Sequence, residues 1–232
     1  MSVLRSDYDS DPQRFLSSER YPPREDVHPA VAERFAAVGA RTVADVGGGS
    51  GKLARLLPSL GMHCVVIDLS PAMLELAPRP AVRADGERLP LASTCVDAVA
   101  ALYTLYHYED PRVPIREAKR ILRPGGVFAA CAPNRDSTPE LAAVLPDWGS
   151  SSTFDGEEAA AIVQSVFSAA GDRVSEDRWD GFQLQLTTAA DATAFLRVHG
   201  LSEPTARAAA ESLTLPKALT MRGSVVYATK SL

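Results

Sequence analysis

An aspartate followed by a cluster of glycines gives this chain its clearest chemical signal. Asp45 ends an apolar run within the segment VADVGGGSGKL, residues 43–53, and the glycines after it are Gly47, Gly48, Gly49 and Gly51. Glycine permits sharp backbone angles and allows a ligand to approach the backbone closely. A helix that opens after such a turn offers unpaired N–H groups. A strand, a glycine turn and a helix start in this order are typical of a site for a nucleotide-like cofactor.

Other kinds of loop share part of this pattern. A P-loop requires a glycine, four residues and then Gly-Lys-Ser/Thr; here Val46 stands at the first glycine and Leu53 at the Mg²⁺-binding hydroxyl. A dinucleotide fingerprint ends in glycine or alanine, and Lys52 occupies that place. A purely structural turn requires fewer glycines than these. These mismatches make a P-loop, a dinucleotide fingerprint and a purely structural turn less favoured interpretations, but they do not exclude them.

Two further acids follow predicted strands. Asp68 ends the second strand, and a carboxylate can accept two O–H bonds from the vicinal hydroxyls of a ribose. Ser70, directly before a proline, is the better N-cap for the next helix, so Asp68 is expected to be free for ribose binding. Asp85 and Gly86 follow the third strand. The Asp85 carboxylate can accept a hydrogen bond from the exocyclic amine of adenine, although Asp-Gly also forms plain turns.

Tyrosines and a histidine crowd the segment YTLYHY, residues 103–108, after the fourth predicted strand. Tyr103 can face a cation with its ring. His107 is the best candidate for a general base, because only histidine titrates near neutral pH without help. A structural or solvent-facing histidine is the alternative. His28 and His199 are weaker candidates for the same role.

Alternating strands and helices must position these residues. Strand patterns are predicted at residues 41–46, 63–67, 81–83, 96–102 and 127–131, and helical patterns at 29–35, 52–57, 71–76 and 111–122. This alternation indicates a parallel sheet, and open α/β sheets bind ligands beyond the carboxyl ends of their strands. After residue 134 the alternation weakens. Helices are predicted at 157–170, 190–199 and 203–213, and strands within 173–186 and at 224–229.

Four segments, in this order, resemble one enzyme family. The pattern D-x-G-x-G-x-G, residues 45–51, resembles the first motif of the class I S-adenosylmethionine (SAM) dependent methyltransferases. VVIDLSPAML, residues 65–74, is similar to the family's second strand with its ribose-binding acid. Residues 84–110 are similar to the adenine-binding segment and fourth strand, and residues 117–134 to the helix, turn and fifth strand. The resemblance covers about residues 40–135 and is greatest to small bacterial enzymes that methylate small molecules.

The resemblance implies an α/β fold. Its sheet would be Rossmann-like, doubly wound and mostly parallel, with seven strands, an antiparallel last strand and a helical cap. It implies a single domain over residues 1–232, with an N-terminal arm (1–27), a cofactor-binding core (28–135) and a substrate cap with the last strands (136–232). Tyr8 and Tyr21 lie on the arm, where they would fold over the cofactor.

The resemblance also implies SAM as the cofactor. Its binding residues would be Asp45, Gly47, Gly49, Gly51, Asp68, Leu69, Met73, Asp85, Gly86 and Tyr103. Asp45 would favour the positive charge of SAM. Leu69 and Met73 would flank the adenine, with an ordinary core role equally open for Met73. Tyr103 would face the sulfonium, and His107 would be the catalytic residue.

Composition and charge disfavour several classes of binding partner. The net charge is −5 and no cluster of Lys or Arg is present, so nucleic acid and anionic membranes are poor partners. No apolar run approaches the ~18 residues of a membrane span, and the N-terminus lacks the hydrophobic core of a signal peptide. Cys64, Cys95 and Cys131 have no metal-ligand spacing and are expected to be buried thiols in a reducing cytoplasm. We therefore expect a cytoplasmic monomer or homodimer without a metal, acting on a small molecule.

The predicted function is methyl transfer from SAM to the O, N or C atom of a small molecule, in secondary or cofactor metabolism. The alternatives are a non-catalytic SAM-binding regulatory module and an NAD(P)-binding oxidoreductase. The acids Asp45, Asp68 and Asp85 favour cofactor binding but do not establish transfer. Lys52 argues against NAD(P), and the acidic charge argues against methylation of nucleic acid.

Overall fold

The computed structural model of the chain describes residues 7–12, 15, 27–144 and 152–232. The first part of the described chain contains α1 (Asp7–Ser10), α2 (Val27–Ala37), β1 (Thr42–Val46), β2 (His63–Asp68), α3 (Pro71–Leu76), β3 (Ala81–Arg83), β4 (Val96–Leu102), α4 (Arg112–Ile121) and β5 (Leu122–Pro133). The second part contains α5 (Ala159–Val166), β6 (Arg173–Leu186), α6 (Ala189–Val198), α7 (Glu203–Glu211) and β7 (Lys217–Thr229). Short 3-10 helices occupy Leu57–Leu60, Leu105–His107 and Pro139–Leu141.

The strands of the described residues form one seven-stranded sheet in the order β3-β2-β1-β4-β5-β7-β6. Strands β1 to β5 pair in parallel, and β7 runs antiparallel to both β5 and β6. The predicted mostly parallel, seven-stranded α/β sheet with an antiparallel last strand is confirmed. The carboxyl ends of β1, β2, β3 and β4 therefore meet at one edge, where the candidate acids were expected.

Apolar side chains cover both faces of the sheet. On one face, Ile115 of α4 and Phe167 pack against Phe128 of β5, with the two phenylalanine rings 5.8 Å apart. On the other face, Phe35 of α2 and Leu57 are fully buried. The central strand β4 is buried at almost every position, as expected for a strand that is covered on both sides.

Strands β6 and β7 extend beyond the rest of the sheet. β7 pairs with β5 only as far as Gly223, which lies opposite Pro133, whereas residues 217–222 of β7 pair with β6 alone. At ~3.3 Å per residue, this ladder rises about 20 Å past the carboxyl edge. The helices α6 and α7 are inserted at its far end and share with it a small core that includes Phe195, Leu196 and Leu219. We call residues 180–222 the helical extension; it lies where the resemblance implies a cap.

The helix predicted at residues 52–57 does not form. Turns follow the glycine cluster instead, with mixed i→i−3 and i→i−4 hydrogen bonds within residues 51–56. A 3-10 helix begins only at Leu57. Pro58 limits any helix at this point, because proline has no N–H group to donate to the carbonyl of Ala54 and disfavours the α conformation of Leu57.

Two other boundaries differ from the prediction. β7 begins at Lys217 rather than at residue 224, because β6 continues beside it as a partner. The helix predicted at 157–170 is shorter, and the side chain of Gln164 in its last turn donates to the carbonyl of Phe167 at 2.7 Å.

In the part of the chain that the structure describes, no helix combines the length and the apolar character needed to cross a bilayer. Among the same residues, no three His, Cys, Asp or Glu side chains gather as metal ligands. Cys131 is buried, and Cys64 and Cys95 are half-buried. Burial raises the pKa of Cys64 well above its ordinary value, so this thiol stays protonated at neutral pH.

Candidate cofactor site

The glycine cluster turns sharply because three of its residues adopt left-handed backbone angles. The φ angle is +65° at Gly47, +53° at Gly49 and +82° at Gly51. A β-carbon at Gly47 would lie 2.1 Å from Oγ1 of Thr104, and one at Gly51 would lie 2.4 Å from Cδ of Pro78. The turn therefore needs glycine in order to pack against the residues that follow β4 and α3.

Asp45 lies directly beneath this turn, with 3 % of its surface exposed. A β-carbon at Gly48 would lie 2.6 Å from the Asp45 carboxylate. Burial, and next the charge of Asp68, raises the pKa of Asp45 from 3.8 to about 7. A nearby cation would favour the ionised form and lower this pKa. The ionisation of Asp45 would therefore respond to a cation bound at the glycine turn.

Asp68 joins the glycine turn to the start of α3. Its Oδ2 accepts the N–H of Gly49 at 2.8 Å, and its Oδ1 accepts the N–H of Ser70 at 2.9 Å. Ser70 is the N-cap of α3, as predicted, and its Oγ accepts the N–H of Met73 at 3.2 Å. The expectation that this cap leaves Asp68 without a structural task is therefore wrong. The N–H of Leu69 is a third donor to this carboxylate, and the carboxylate keeps acceptor capacity for a ribose hydroxyl because it has about four lone-pair sites.

Asp85 and Gly86 form a turn after β3. Oδ1 of Asp85 accepts the N–H of Glu87 at 3.0 Å, and a β-carbon at Gly86 would lie 2.5 Å from Oη of Tyr108. The plain Asp-Gly turn is thus present, and it holds the half-buried Asp85 at the same edge of the sheet as Asp68. Binding of the adenine amine by Asp85 stays a prediction.

Leu69 and Met73 differ in how much surface they offer. Leu69 is 39 % exposed, so it presents an apolar side chain directly after Asp68. Met73 is buried, and its Cε lies 3.3 Å from the point that a β-carbon of Gly49 would occupy. Met73 is therefore a core residue that contacts the glycine turn, whereas Leu69 has the exposure expected of a side chain that covers an adenine.

Tyr103 directly follows β4 in a backbone conformation that is rare outside glycine, with φ at +56°. Its N–H donates to the carbonyl of Cys131 at 3.0 Å, and its ring lies 6.2 Å from the ring of His28. Burial, and next the charge of Lys52, lowers the pKa of His28 to about 4. Tyr103, His28 and Lys52 therefore gather beside the glycine turn, and the His28 ring is neutral at pH 7.

His107 lies in the 3-10 helix after β4 and is bonded to the N-terminal arm. Its Nε2 is 2.9 Å from Oη of Tyr8, whose ring approaches edge-on at 5.6 Å between centroids. The ring of Tyr106 lies 4.5 Å away. His107 is thus half-buried among aromatic rings rather than turned to solvent. One of the two nitrogens that could take a proton is bonded to Tyr8.

His199 has a structural position instead. It follows α6, its Nδ1 is 2.8 Å from the carbonyl oxygen of Phe195, and its ring stacks on the Phe195 ring at 4.1 Å. Burial lowers its pKa to about 4. His199 therefore belongs to the helical extension and not to the edge that carries the acids.

The arm supplies residues that the sequence interpretation missed. Asp9 accepts a hydrogen bond from Oγ of Ser70 at 2.6 Å, and Asp11 forms an ion pair with Arg197 of α6 at 2.9 Å. The only signal for them is the acid-rich segment DYDSD, residues 7–11. Tyr21, the other tyrosine expected over the cofactor, lies outside the described residues.

Known proteins match the same region as the four motifs. Residues 44–130 match the model of a methyltransferase domain. An uncharacterized methyltransferase of Mycobacterium tuberculosis is 37% identical over 102 residues, which is 42% of each chain. Demethylmenaquinone methyltransferase of Corynebacterium urealyticum is 33% identical over 109 residues, 46% of this chain and 47% of that one. The chain thus aligns with less than half the length of these relatives.

Solved structures share the fold at low sequence identity. The YcgJ protein of Bacillus subtilis matches with a TM-score of 0.62 and 18% identity, over 88% of this chain and 99% of that one. The cyclase SpnF matches with a TM-score of 0.64 and 18% identity, over 98% of this chain and 94% of that one. These likenesses establish the fold alone.

The strand order defines a Rossmann-like fold, and the glycine turn and the acids at the carboxyl edge of its sheet form the candidate cofactor site. The methyltransferase domain matched by residues 44–130, together with the similar methyltransferases, agrees with the sequence resemblance to the class I SAM-dependent methyltransferases. Members of this family use SAM as the methyl donor.

Proposed function

We propose that the protein transfers the methyl group of SAM to the O, N or C atom of a small molecule by in-line displacement. The joint placement of two carboxylates and a glycine turn carries the proposal. Asp68 accepts the N–H of Gly49, and Asp45 lies buried beneath the same turn. An acid with a raised pKa, beside a second acid that has lone pairs to spare, suits a cofactor with a positive charge and ribose hydroxyls.

The residues present fit SAM. Asp68 would accept its ribose hydroxyls, Leu69 would cover its adenine, and Asp85 would accept the adenine amine. The glycine turn and Asp45 would hold the methionine part. The cofactor supplies an activated methyl group on a sulfonium. The chain's own residues would bind the cofactor, align the acceptor with the methyl group and exclude water. Alignment alone can lower the activation free energy of such a reaction by several kcal/mol.

The acceptor is proposed to lie between the glycine turn and the helical extension. Relatives that share the cofactor region include a demethylmenaquinone methyltransferase and a malonyl-(acyl-carrier protein) O-methyltransferase, so this region does not select the acceptor. Selection then belongs to residues outside 44–130, above all to the helical extension and the arm. The net charge of −5, with Asp9 and Asp11 near the cleft, favours a small molecule over nucleic acid.

His107 would accept a proton when the acceptor atom carries one of high pKa. It lies after β4, and a general base must reach the proton that it removes within hydrogen-bond distance, directly or through one water. An acceptor that already presents a lone pair needs only alignment. Methyl transfer is therefore compatible with this site whether or not His107 acts as a base.

SAM is expected to bind more tightly as the pH rises from about 5 to about 7. Asp45 has a pKa of about 7 when folded, against an ordinary 3.8, so the free protein holds a proton there at pH 5. A bound cation favours the ionised acid, and binding then releases that proton. Affinity at pH 5 should be on the order of tenfold lower than at pH 7.5, and it should level off above the folded pKa.

Calorimetry of the wild type and of Asp45→Asn across this range measures the effect. Burial also raises the pKa of Asp68, so the variant keeps the part of the pH dependence that comes from Asp68. The SAM affinity of the wild type should rise with pH, and that of the variant should depend less on pH. Equal pH dependence in the two proteins would show that Asp45 is not the cause. The sign for folding is opposite, because the stability gained from protonated Asp45 is lost as the pH rises through about 7.

Transfer of a labelled methyl group from SAM into a cell extract tests the proposed reaction. Label in a small-molecule product supports it, whereas label in nucleic acid contradicts the proposed acceptor class. S-Adenosylhomocysteine binding without any labelled product would favour the non-catalytic SAM-binding module. Thermal stabilisation by NADH instead of S-adenosylhomocysteine would favour the oxidoreductase.

A further inference from the structure

A short piece of the N-terminal arm bonds to elements on both sides of the cleft. Tyr8, Asp9 and Asp11 contact, respectively, the 3-10 helix after β4, the start of α3 and helix α6. In the sheet, β2 and β6 lie on opposite sides of β4, so the three contacts span the carboxyl edge. We call residues 8–11 the N-terminal strap.

The strap is anchored beside the candidate ribose acid. Oδ1 of Asp9 accepts from Oγ of Ser70 at 2.6 Å and from the N–H of Ala72 at 3.4 Å. The N–H of the same Ser70 donates to Asp68 at 2.9 Å. One serine therefore connects the strap to the carboxylate that would hold the ribose.

A second anchor ties the strap to the helical extension. Asp11 pairs with Arg197 at 2.9 Å, and Arg197 also pairs with Glu203 of α7 at 3.0 Å. About a third of the Asp11 and Arg197 side chains is exposed. If Asp11 were lost, Arg197 would still be paired with Glu203. Breaking this anchor therefore does not leave a buried charge without a partner.

Side-chain bonds rather than helix propensity must hold the strap in place. Helix α1 has four residues, far below the roughly 12 that an isolated helix needs in water. Tyr8 adds a stacked contact with Phe15, at 3.8 Å between ring centroids. Partly exposed polar bonds open at lower free-energy cost than a packed core, so the anchor between Asp11 and Arg197 can break while the sheet stays folded.

We propose that the N-terminal strap closes the cleft over the cofactor, and that Tyr8 positions the His107 ring when the strap is closed. This inference rests on the proposed function. Because the anchors lie on both sides of the cleft, cofactor exchange requires at least one of them to break. The Tyr8 hydroxyl, 2.9 Å from Nε2 of His107, holds the orientation of the His107 ring. Tyr8 is a positioning residue that acts through His107.

Imidazole nitrogen NMR of the cofactor-free protein tests the positioning role without any acceptor. The chain has four histidines, so His28, His63 and His199 serve as internal controls. Tyr8→Phe should move the His107 signals and its titration midpoint, and leave the other three unchanged. Unchanged His107 signals would overturn the positioning role, and so would equal shifts at all four histidines, which would indicate a general structural change.

The dissociation rate of S-adenosylhomocysteine tests closure. Asp11→Ala should release it about fivefold faster than the wild type, the scale of one partly exposed ion pair. The matched control is Asp180→Ala, which also removes an aspartate paired with an arginine, here Arg222 at 2.7 Å. A wild-type rate in Asp11→Ala, or the same increase in both variants, would overturn closure. If S-adenosylhomocysteine did not bind at all, the proposed function would be wrong, and closure over the cofactor would be wrong with it. The histidine signals would still test the role of Tyr8.

Discussion

Asp68→Ala is expected to weaken S-adenosylhomocysteine binding about 100-fold, or about 2.7 kcal/mol, the scale of losing one or two charge-assisted hydrogen bonds. Two effects add. The variant removes the acceptor for ribose hydroxyls, and it leaves the N–H groups of Gly49 and Ser70 without the carboxylate that now accepts them. The glycine turn would then lose its bond to α3. Titration calorimetry at fixed pH measures the change.

Asp97→Ala is the matched control for this loss. Asp97 is also a carboxylate at a strand end, and its Oδ2 accepts from the N–H groups of Arg41 and Thr42 at 3.0 and 2.9 Å. It lies at the amino end of β4, the opposite edge of the sheet. Asp97→Ala should lower the melting temperature and leave cofactor affinity nearly unchanged. Equal losses of affinity in the two variants would show that Asp68 acts only through stability.

Gly47→Ala is expected to destabilise the protein by about 3 kcal/mol, from the cost of a left-handed non-glycine residue together with overpacking. The added β-carbon would lie 2.1 Å from Oγ1 and 2.5 Å from Cβ of Thr104, which is buried. Either the turn or the end of β4 must move. Thermal unfolding should show a melting temperature lower by about 6–12 °C.

Gly39→Ala separates backbone strain from crowding. Gly39 has a similar φ of +74°, and nothing lies within 4 Å of its added β-carbon. This control should lose only about 1 kcal/mol, the strain of the backbone angle alone. If Gly47→Ala lowered the melting temperature no more than Gly39→Ala, the contact between the turn and Thr104 would not matter to stability.

The fold and the cofactor edge were predictable because their signals are local. A parallel strand buried on both faces is an apolar run, and its last residue lies at the ligand-binding edge. Asp45 and Asp68 could thus be placed at that edge from the residues just before them. The left-handed angles of Gly47, Gly49 and Gly51 follow in the same way from glycine's conformational freedom.

The second task of Asp68 was not predictable from local pattern. Its acceptance of the Gly49 N–H joins residues 19 positions apart and depends on how the turn folds back over β2. The sequence shows a good cap at Ser70 but does not show that Asp68 also accepts a backbone bond there. The local sequence pattern indicates only the ribose-binding role of Asp68, whereas the packed turn also uses its carboxylate to accept backbone N–H groups.

The strap contacts join residues still further apart. Tyr8 and His107 are separated by 99 positions, and Asp11 and Arg197 by 186. No hydrophobic period or spacing rule connects such pairs. The long β6 was also only partly predictable, because an edge strand with many exposed side chains lacks a continuous apolar run. The acceptor side of the cleft is built from these elements, so the sequence identifies the cofactor more readily than the acceptor.

Calorimetric titration of the wild-type protein with S-adenosylhomocysteine, and separately with NADH, tests whether Asp45, Asp68 and the glycine turn together form a SAM site. We predict one saturable site per chain for S-adenosylhomocysteine and no heat of binding for NADH. No binding of S-adenosylhomocysteine, or tighter binding of NADH, would contradict the account.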